Sequence, residues 1–294
     1  MIGRNDFCWC GSKVKWKKCH FPDEGNSSNK FDKLKKEYFQ KYQIILKTEK
    51  EIDGISAASK LASKILEELC SCAKAGVTTE EINQLANKLH GQAGAIAAPL
   101  NYGHPPFPKS ICTSLNEVIC HGIPGNRVLV EGDILNIDVT SILNGYFGDC
   151  SKMVVIGKTT EERQLVVDVS YECLMRSIAI LKPGIPISAI GDVIEEYAHS
   201  KGCSVVNQFV GHGVGIDFHE NPQIPHSKNN IGILLAPGMT FTIEPMINAG
   251  VRGAVIDPLD KWTAKTKDGR ASGQWEHTIL ITENGHQVLT NWVR

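Results

Sequence analysis

No run of about eighteen apolar residues occurs in this 294-residue chain, so no segment reads as a membrane-spanning helix. The opening residues, MIGRNDFCWCG, lack the apolar core of a secretory signal. Charge of neither sign dominates, because 31 Lys and Arg stand against 32 Asp and Glu, a net of −1. These absences exclude a helical membrane protein and lead us to expect a cytoplasmic location with no membrane partner.

What is there fits a folded enzyme-sized chain. Apolar residues make up 42% and charged residues 21%, which is ordinary globular composition, and the length suits one large domain or two smaller ones. Ten cysteines are present. Three of them crowd beside His20 near the start. The other seven (Cys70, Cys72, Cys112, Cys120, Cys150, Cys173, Cys203) are scattered in apolar contexts, which predicts reduced, mostly buried thiols rather than disulfides. Residues 1–50 carry a balance of +6 and the remainder −7. A basic arm on an acidic body predicts an anionic partner for the arm, unless the lysines form a solvated face.

Three regions are expected: a Cys/His module over residues 1–22, a basic linker and helix over 23–46, and one large domain over 47–294. The stretch Asp23–Asn29 is linker-like in composition. Leu34, Tyr38, Tyr42 and Ile45 recur at helical spacing, and residues 51–75 read as a second helix ending at Gly76. An internal repeat follows. At an offset of 108, Gly76, Ile82, Leu85, Leu89 and Gly94 match Gly184, Ile190, Val193, Tyr197 and Gly202, each set marking an amphipathic helix closed by glycine. This predicts a duplicated α+β half. Within the first half, Ile134–Ile142 and Tyr146–Ile156 flank Asn144-Gly145, a hairpin signal. A turn centred near Leu143-Asn144 would set Asp138 opposite Asp149, roughly 5 Å apart at Cβ.

Two apposed aspartates in apolar strands repel each other unless they share bound cations, or unless one of them faces water or pairs with Lys152. His212 lies in the glycine-rich loop Gly211–Gly215, and His219 follows seven residues later. Glu244 (in TFTIEPM) and Glu276 (in QWEHTILI) each sit in a β-like apolar run, where a carboxylate is unusual. Asp138, Asp149, His212, Glu244 and Glu276 are hard or borderline donors that could together hold two divalent cations. A two-cation clamp of that kind hydrolyses amide or phosphate bonds.

Six ordered motifs carry a resemblance: HGIP at 121–124, NIDVT at 136–140, GDCSKM at 148–153, GHGVG at 211–215, FTIEPM at 241–246 and EHT at 276–278. From about residue 47 onward the chain resembles the type I methionine aminopeptidases and lacks the long helical insertion of their type II relatives. The resemblance implies an α+β pita-bread fold, two pseudo-symmetric halves around a curved antiparallel sheet. It implies a dinuclear site (Co, Mn, Fe or Zn) in which Asp138 chelates one ion, Asp149 and Glu276 bridge both, and His212 and Glu244 complete the other. It also implies that Glu244 shuttles a proton, that His121 and His219 bind substrate and the developing oxyanion, and that Tyr102, Phe107, Cys112, Phe218 and Trp262 surround a methionine side chain. Asn116, Val118 and Ser272 match a monovalent-cation site of some relatives. The activity implied is removal of the initiator methionine from nascent polypeptides whose second residue is small, by a monomeric enzyme. Cys150 after Asp149, Trp275 before Glu276 and the longer loop at His104-Pro105-Pro106 depart from many relatives.

The fold also hosts prolidases and aminopeptidases P, but those usually carry a large N-terminal domain. A creatinase-like hydrolase would lack the five donors, and a non-catalytic ribosome-associated binder typically loses them. Finally, Cys8, Cys10, Cys19 and His20 have the number and type of donors that tetrahedral zinc takes, and so small a unit needs a metal to fold. RNDFCWCGSKVKWKKCH resembles the SEC-C motif, which implies a structural zinc and, with Lys13, Lys15, Lys17 and Lys18, docking to a protein partner or the ribosome.

Overall fold

The structure, a computed structural model, describes residues 6–8, 13–16 and 27–294, with the backbone alone for 27–29. The described residues include five helices: α1 Ser27–Tyr42, α2 Glu49–Cys72, α3 Thr79–Gln92, α4 Glu161–Ala179 and α5 Ser188–Ser200. Helix α1 begins within the stretch expected to be linker and buries Leu34 and Tyr38. It stops at Tyr42 because Gln43 turns left-handed (φ 57°), so Ile45 lies beyond the helix and not on its face. Helices α2 and α3 both start at capping boxes. Thr48 with Glu51, and Thr78 with Glu81, satisfy backbone donors reciprocally.

Among the described residues there are also fifteen strands, most of them short. In the first half they are β1 Ile96–Ala97, β2 Cys112–Leu115, β3 Val118–Cys120, β4 Ile134–Leu143 and β5 Tyr146–Val155. The second half contributes β6 Ser204–Val205, β7 Gly211–Gly213, β8 Glu220–Ile224, β9 Thr240–Ile243 and β10 Met246–Asn248. It continues with β11 Ala254–Ile256, β12 Ala264–Thr266, β13 Ser272–Gln274, β14 His277–Thr282 and β15 Gly285–Val288. Every named strand pair is antiparallel. Strand β4 sits between β5 and both β1 and β2, β9 lies between β14 and β7, and β10 between β13 and β6. An isolated bridge from Ser151 to Glu276 joins the two halves.

The repeat is present in the backbone. Gly76 and Gly184 take φ of 93° and 85°, and Gly94 and Gly202 take 64° and 72°, so the same left-handed turns open and close α3 and α5. Helix α3 leads to β1 on β4 (Ala97 with Ser141), and α5 leads to β6 on β10 (Val205 with Ile247). Gly76 N–H bonds Leu129 and Gly184 N–H bonds Leu235 (2.9 and 2.8 Å), so even the loop ties repeat. The match extends to the approach to the strands: Gly132 (φ 94°) precedes β4 and Gly238 (φ 87°) precedes β9. Counting on from each glycine, Asp138 and Glu244 occupy equivalent positions. In the second half the long strand is interrupted between β9 and β10, where Pro245 offers no amide hydrogen.

One prediction on register is corrected. The two turn residues are Asn144 and Gly145, both at positive φ (52° and 82°), the requirement of a two-residue hairpin turn. Leu143 therefore pairs Tyr146, and Asp138 lies opposite Ser151 while Asp149 lies opposite Thr140. The displacement from the predicted register is two residues, which preserves the face. Asp138 and Asp149 are diagonal neighbours on one side of the sheet. Direct opposition occurs instead in the second half, where a single register runs through Met246–Gln274 and Ile243–His277 and sets Glu244 against Glu276.

One large apolar cluster runs through both halves, and Cys8, Trp16, Leu34 and Tyr38 belong to it. Helix α2 lies against β5 so closely that an added Cβ at Gly148 would sit 2.2 Å from the Ser59 backbone nitrogen. We predict that Gly148→Ala forces that helix off the sheet and lowers stability by about 1–3 kcal/mol in equilibrium urea unfolding. An unchanged midpoint would mean that this contact does not set the helix–sheet distance.

Candidate active site

The five predicted donors converge on one cavity of about 570 Å³. Asp138 comes from the middle of β4 and Asp149 from β5. His212 comes from β7, Glu244 follows β9, and Glu276 precedes β14. Glycine makes the approach of β7 possible. A Cβ at Gly211 would lie 2.4 Å from the Thr242 carbonyl oxygen, and one at Gly213 would lie 2.3 Å from that of Asn221. Donor atoms of Asp149, His212 and Glu276 all fall within 4.8 Å of one another. His212 Nε2 is 3.8 Å from Asp149 Oδ2 and 3.6 Å from Glu244 Oε1. Asp138 shares the cavity wall, and its charge is felt by Glu244 and Glu276.

Supporting bonds aim these groups. Thr140 Oγ1 donates to Asp149 Oδ1 (2.7 Å), Thr242 Oγ1 to Glu244 Oε1 (2.8 Å) and Gln274 Nε2 to Glu244 Oε2 (3.2 Å). His212 Nδ1 lies 3.0 Å from the Gly213 carbonyl oxygen. A carbonyl only accepts, so the ring proton belongs on Nδ1 and the Nε2 lone pair faces the carboxylates, the tautomer a metal ligand needs.

No Lys or Arg is among the residues lining the cavity. Lys152, the basic neighbour considered for the aspartates, pairs with Glu67 on the other side of the sheet (3.0 Å). Burial, then the neighbouring Asp149, pushes the Asp138 carboxyl well above the usual carboxylate range. Glu244 and Glu276 are raised by burial and then by the surrounding acids. Burial lifts Asp149 to about 7 against the pull of its Thr140 and Cys150 bonds. Burial lowers His212 to about 4, so its ring is neutral at neutral pH. Three buried carboxyls, the half-buried Asp138 and one neutral imidazole with no cationic side chain among them form a donor set suited to divalent cations.

The remaining predicted residues also line this cavity. His121, at φ 57°, holds its ring 5.5 Å from Phe209 and 5.9 Å from Trp262, and burial lowers it to about 4. Tyr102 Oη is 2.8 Å from His219 Nδ1, and its ring packs on Phe218 at 4.8 Å. Burial and the neighbouring histidines lower His219 to about 3. Phe107 meets Trp262 edge-on at 5.3 Å, and Trp262 Nε1 donates to the Pro105 carbonyl, so the lengthened loop braces the pocket wall. Cys112 is buried beside the acids, and burial pushes its thiol up. Elsewhere, Asn116 O accepts from Ser272 N (2.9 Å), while the Asn116 side chain is spent on Asp133 and Ile134. Val118 is in β3 beside them. Cys10, Cys19 and His20 lie outside the described residues. Cys8 is buried between short antiparallel backbone bonds to Val14 and from Trp16 to Asp6. Five of the seven scattered cysteines are buried, as expected, whereas Cys72 is exposed at the end of α2.

Several contributors were not singled out from the sequence. Gln208, Phe209 and Met246 line the cavity. His226, fully enclosed, accepts the Glu244 backbone N–H at Nε2 (3.1 Å). Glu220 forms a buried ion pair with Lys47 (2.5 Å). Nothing local marks these residues, because each partner is distant in the chain.

Residues 53–283 match metallopeptidase family M24. The chain belongs to that family. Residues 4–22 match the SEC-C motif. An M24 relative from Chlamydia pneumoniae, named methionine aminopeptidase, is 55% identical over 287 residues, 98% of each chain. The crystal structure of methionine aminopeptidase from Rickettsia prowazekii superposes with a TM-score of 0.82 at 42% identity, covering 84% of this chain and all of that one. A prolidase from Pyrococcus furiosus shares the fold at a TM-score of 0.68 and 22% identity, covering 97% of this chain and 75% of that one. These likenesses make the M24 chain a pita-bread metallopeptidase. Among the described residues, no helix is long and apolar enough to cross a membrane.

The raised carboxyls have a consequence for cation uptake. Raised carboxyls favour their protonated forms, and Asp149, at about 7, is partly protonated at neutral pH, whereas a cation needs the groups ionised. Binding therefore releases protons, and apparent affinity should rise with pH through the region near 7 where Asp149 titrates. Calorimetric Mn²⁺ titrations at pH 6 and 8, each in two buffers of different ionisation enthalpy, would test this. Buffer-independent heats and equal affinities would contradict it.

Proposed function

We propose that this metallopeptidase removes the N-terminal methionine from polypeptides whose second residue is small, using two divalent cations held by Asp138, Asp149, His212, Glu244 and Glu276. The observation that carries the reading is the convergence of four carboxyls, three of them buried, and a neutral imidazole, without a basic side chain among the described lining residues, on a cavity walled by aromatic rings and a cysteine. Bound there, the cations would supply Lewis acidity toward a peptide carbonyl and a water that ionises near neutral pH.

The chain's own groups then divide the remaining work. Glu244, raised by burial and by its acidic neighbours, is suited to take a proton from water and pass it to the leaving amine. His121 and His219 are neutral at working pH, and each can donate one N–H to an oxygen gaining charge. The Tyr102 hydroxyl, 2.8 Å from His219 Nδ1, orients the ring, and where it donates to Nδ1 the ring proton is left on Nε2. Phe107, Phe218, Trp262, Tyr102 and Cys112 offer soft apolar surface that suits a thioether. The monovalent cation near Asn116, Val118 and Ser272 stays part of this reading, supported by a buried Ser272 hydroxyl that has no partner among the described residues.

In added Mn²⁺ or Co²⁺, Met-Ala-Ser should release methionine while Xaa-Pro peptides stay intact; the reverse preference would sink the assignment. His121→Ala should lower kcat by about 10²–10³-fold without changing cation content. Full activity in that variant would remove His121 from the reaction.

The basic N-terminal module supports a second, separate step. Cys8, Cys10, Cys19 and His20 would hold a structural zinc, and the surrounding lysines suit an anionic surface such as the ribosome, a docking that would keep the enzyme in the cytoplasm beside its nascent substrate. Deleting residues 1–29 should abolish co-sedimentation with ribosomes, and persistence of pelleting would rule the module out.

A further inference from the structure

Lys47 lies outside the stretch 53–283 that matches family M24, in the extended segment between α1 and α2. Its side chain is completely enclosed, and its Nζ meets Glu220 Oε2 at 2.5 Å across 173 residues of sequence. A solitary lysine in such a place would be very costly, and burial lowers its pKa even with Glu220 beside it. A buried ion pair contributes little net stability compared with an apolar pair of the same volume. Its directional geometry is what an apolar pair cannot supply.

That geometry bears on the turn 216–219. The other carboxylate oxygen of Glu220, Oε1, accepts the backbone N–H of Ile216 (2.6 Å) and of Asp217 (2.9 Å). The carboxylate therefore closes the turn from which Phe218 and His219 project, and Lys47 fixes the carboxylate. The lysine is itself held at its backbone. Lys47 N donates to Gly238 O (2.8 Å), just before β9, the strand that leads to Glu244, and Ile44 bridges Asn221. Phe31 of α1 packs on the same glycine.

We propose that Lys47 is a positioning residue for His219: through Glu220 it locks the turn that presents the His219 ring to the substrate carbonyl. This rests on the reading of His219 given above, and the assay separates the two. With the cation-loaded enzyme and Met-Ala-Ser, Lys47→Met should lower kcat about tenfold or more, with KM within about threefold and cation content unchanged. In a His219→Ala background the same substitution should cost less than about twofold, because the ring it positions is gone. A loss of equal size in both backgrounds would overturn the proposal, as would a wild-type kcat in Lys47→Met. If Lys47→Met does not fold, Glu220→Gln, which keeps the side-chain shape, enters the same cycle with the same expectations. Wild-type protein inert toward Met-Ala-Ser would refute the reading of the site itself, and this inference with it.

Discussion

Four carboxyl groups and one imidazole lining a single cavity, without a basic side chain among the described residues there to offset them, are the constraint on which the rest of this structure depends. Such a cluster opposes folding unless its members keep their protons or gain divalent cations, and the raised carboxyl pKa values record that opposition. Everything nearby keeps the groups together in spite of it. Threonine hydroxyls at 140 and 242 and the Gln274 amide each hold one carboxylate oxygen, and His226 holds the Glu244 backbone. A shell of directional donors is worth more in a dry site than in water, which is how a fold can hold a repulsive cluster in a fixed shape.

The duplicated architecture explains how one chain builds such a site. Each half places an acid six residues after a left-handed glycine, Asp138 within β4 in one and Glu244 just after β9 in the other, and each sends back a partner segment bearing a second acid, Asp149 and Glu276. The halves are not copies at the level of register. Asn144-Gly145 makes the first a tight hairpin with its acids on the diagonal, whereas Pro245 splits the second and its acids stand face to face. A purely symmetric pairing would give two equivalent diagonals. The break in symmetry brings Glu276 to the Ser151 bridge and so into reach of Asp149 and His212.

Much of this was legible in the amino-acid sequence, for physical reasons. Carboxylates inside apolar β runs are conspicuous because they are costly there, and glycines flanking a histidine mark backbone that must pass close to something. The helix repeat was readable because left-handed glycines close both copies. What could not be read is long-range. The hairpin register needed the positive φ of both Asn144 and Gly145, and a turn centred one residue early moved every pair by two positions. His226, Gln208 and Lys47 carry no local signature, since their roles are set by partners 18 to 173 residues away.

Lys47 also bears on where the catalytic unit begins. A boundary drawn at the edge of the family match would leave the lysine out, yet the segment carrying it pairs with Asn221 and Gly238 and is covered by Phe31. Helix α1 adds a bond from the Tyr38 hydroxyl to the Leu234 carbonyl (3.0 Å). The basic helix is therefore packed onto the second half rather than tethered to it. Removing it would uncover the face where Phe31 lies beside Lys47, and an ion pair opened to water weakens by roughly fourfold as the effective dielectric rises. The turn bearing His219 would then lose its anchor even though every cavity-lining residue remained in the chain. If Lys47 positions His219 as proposed, functional truncation is limited by an ion pair remote in sequence from the reacting groups, and not by the motifs that first reveal them.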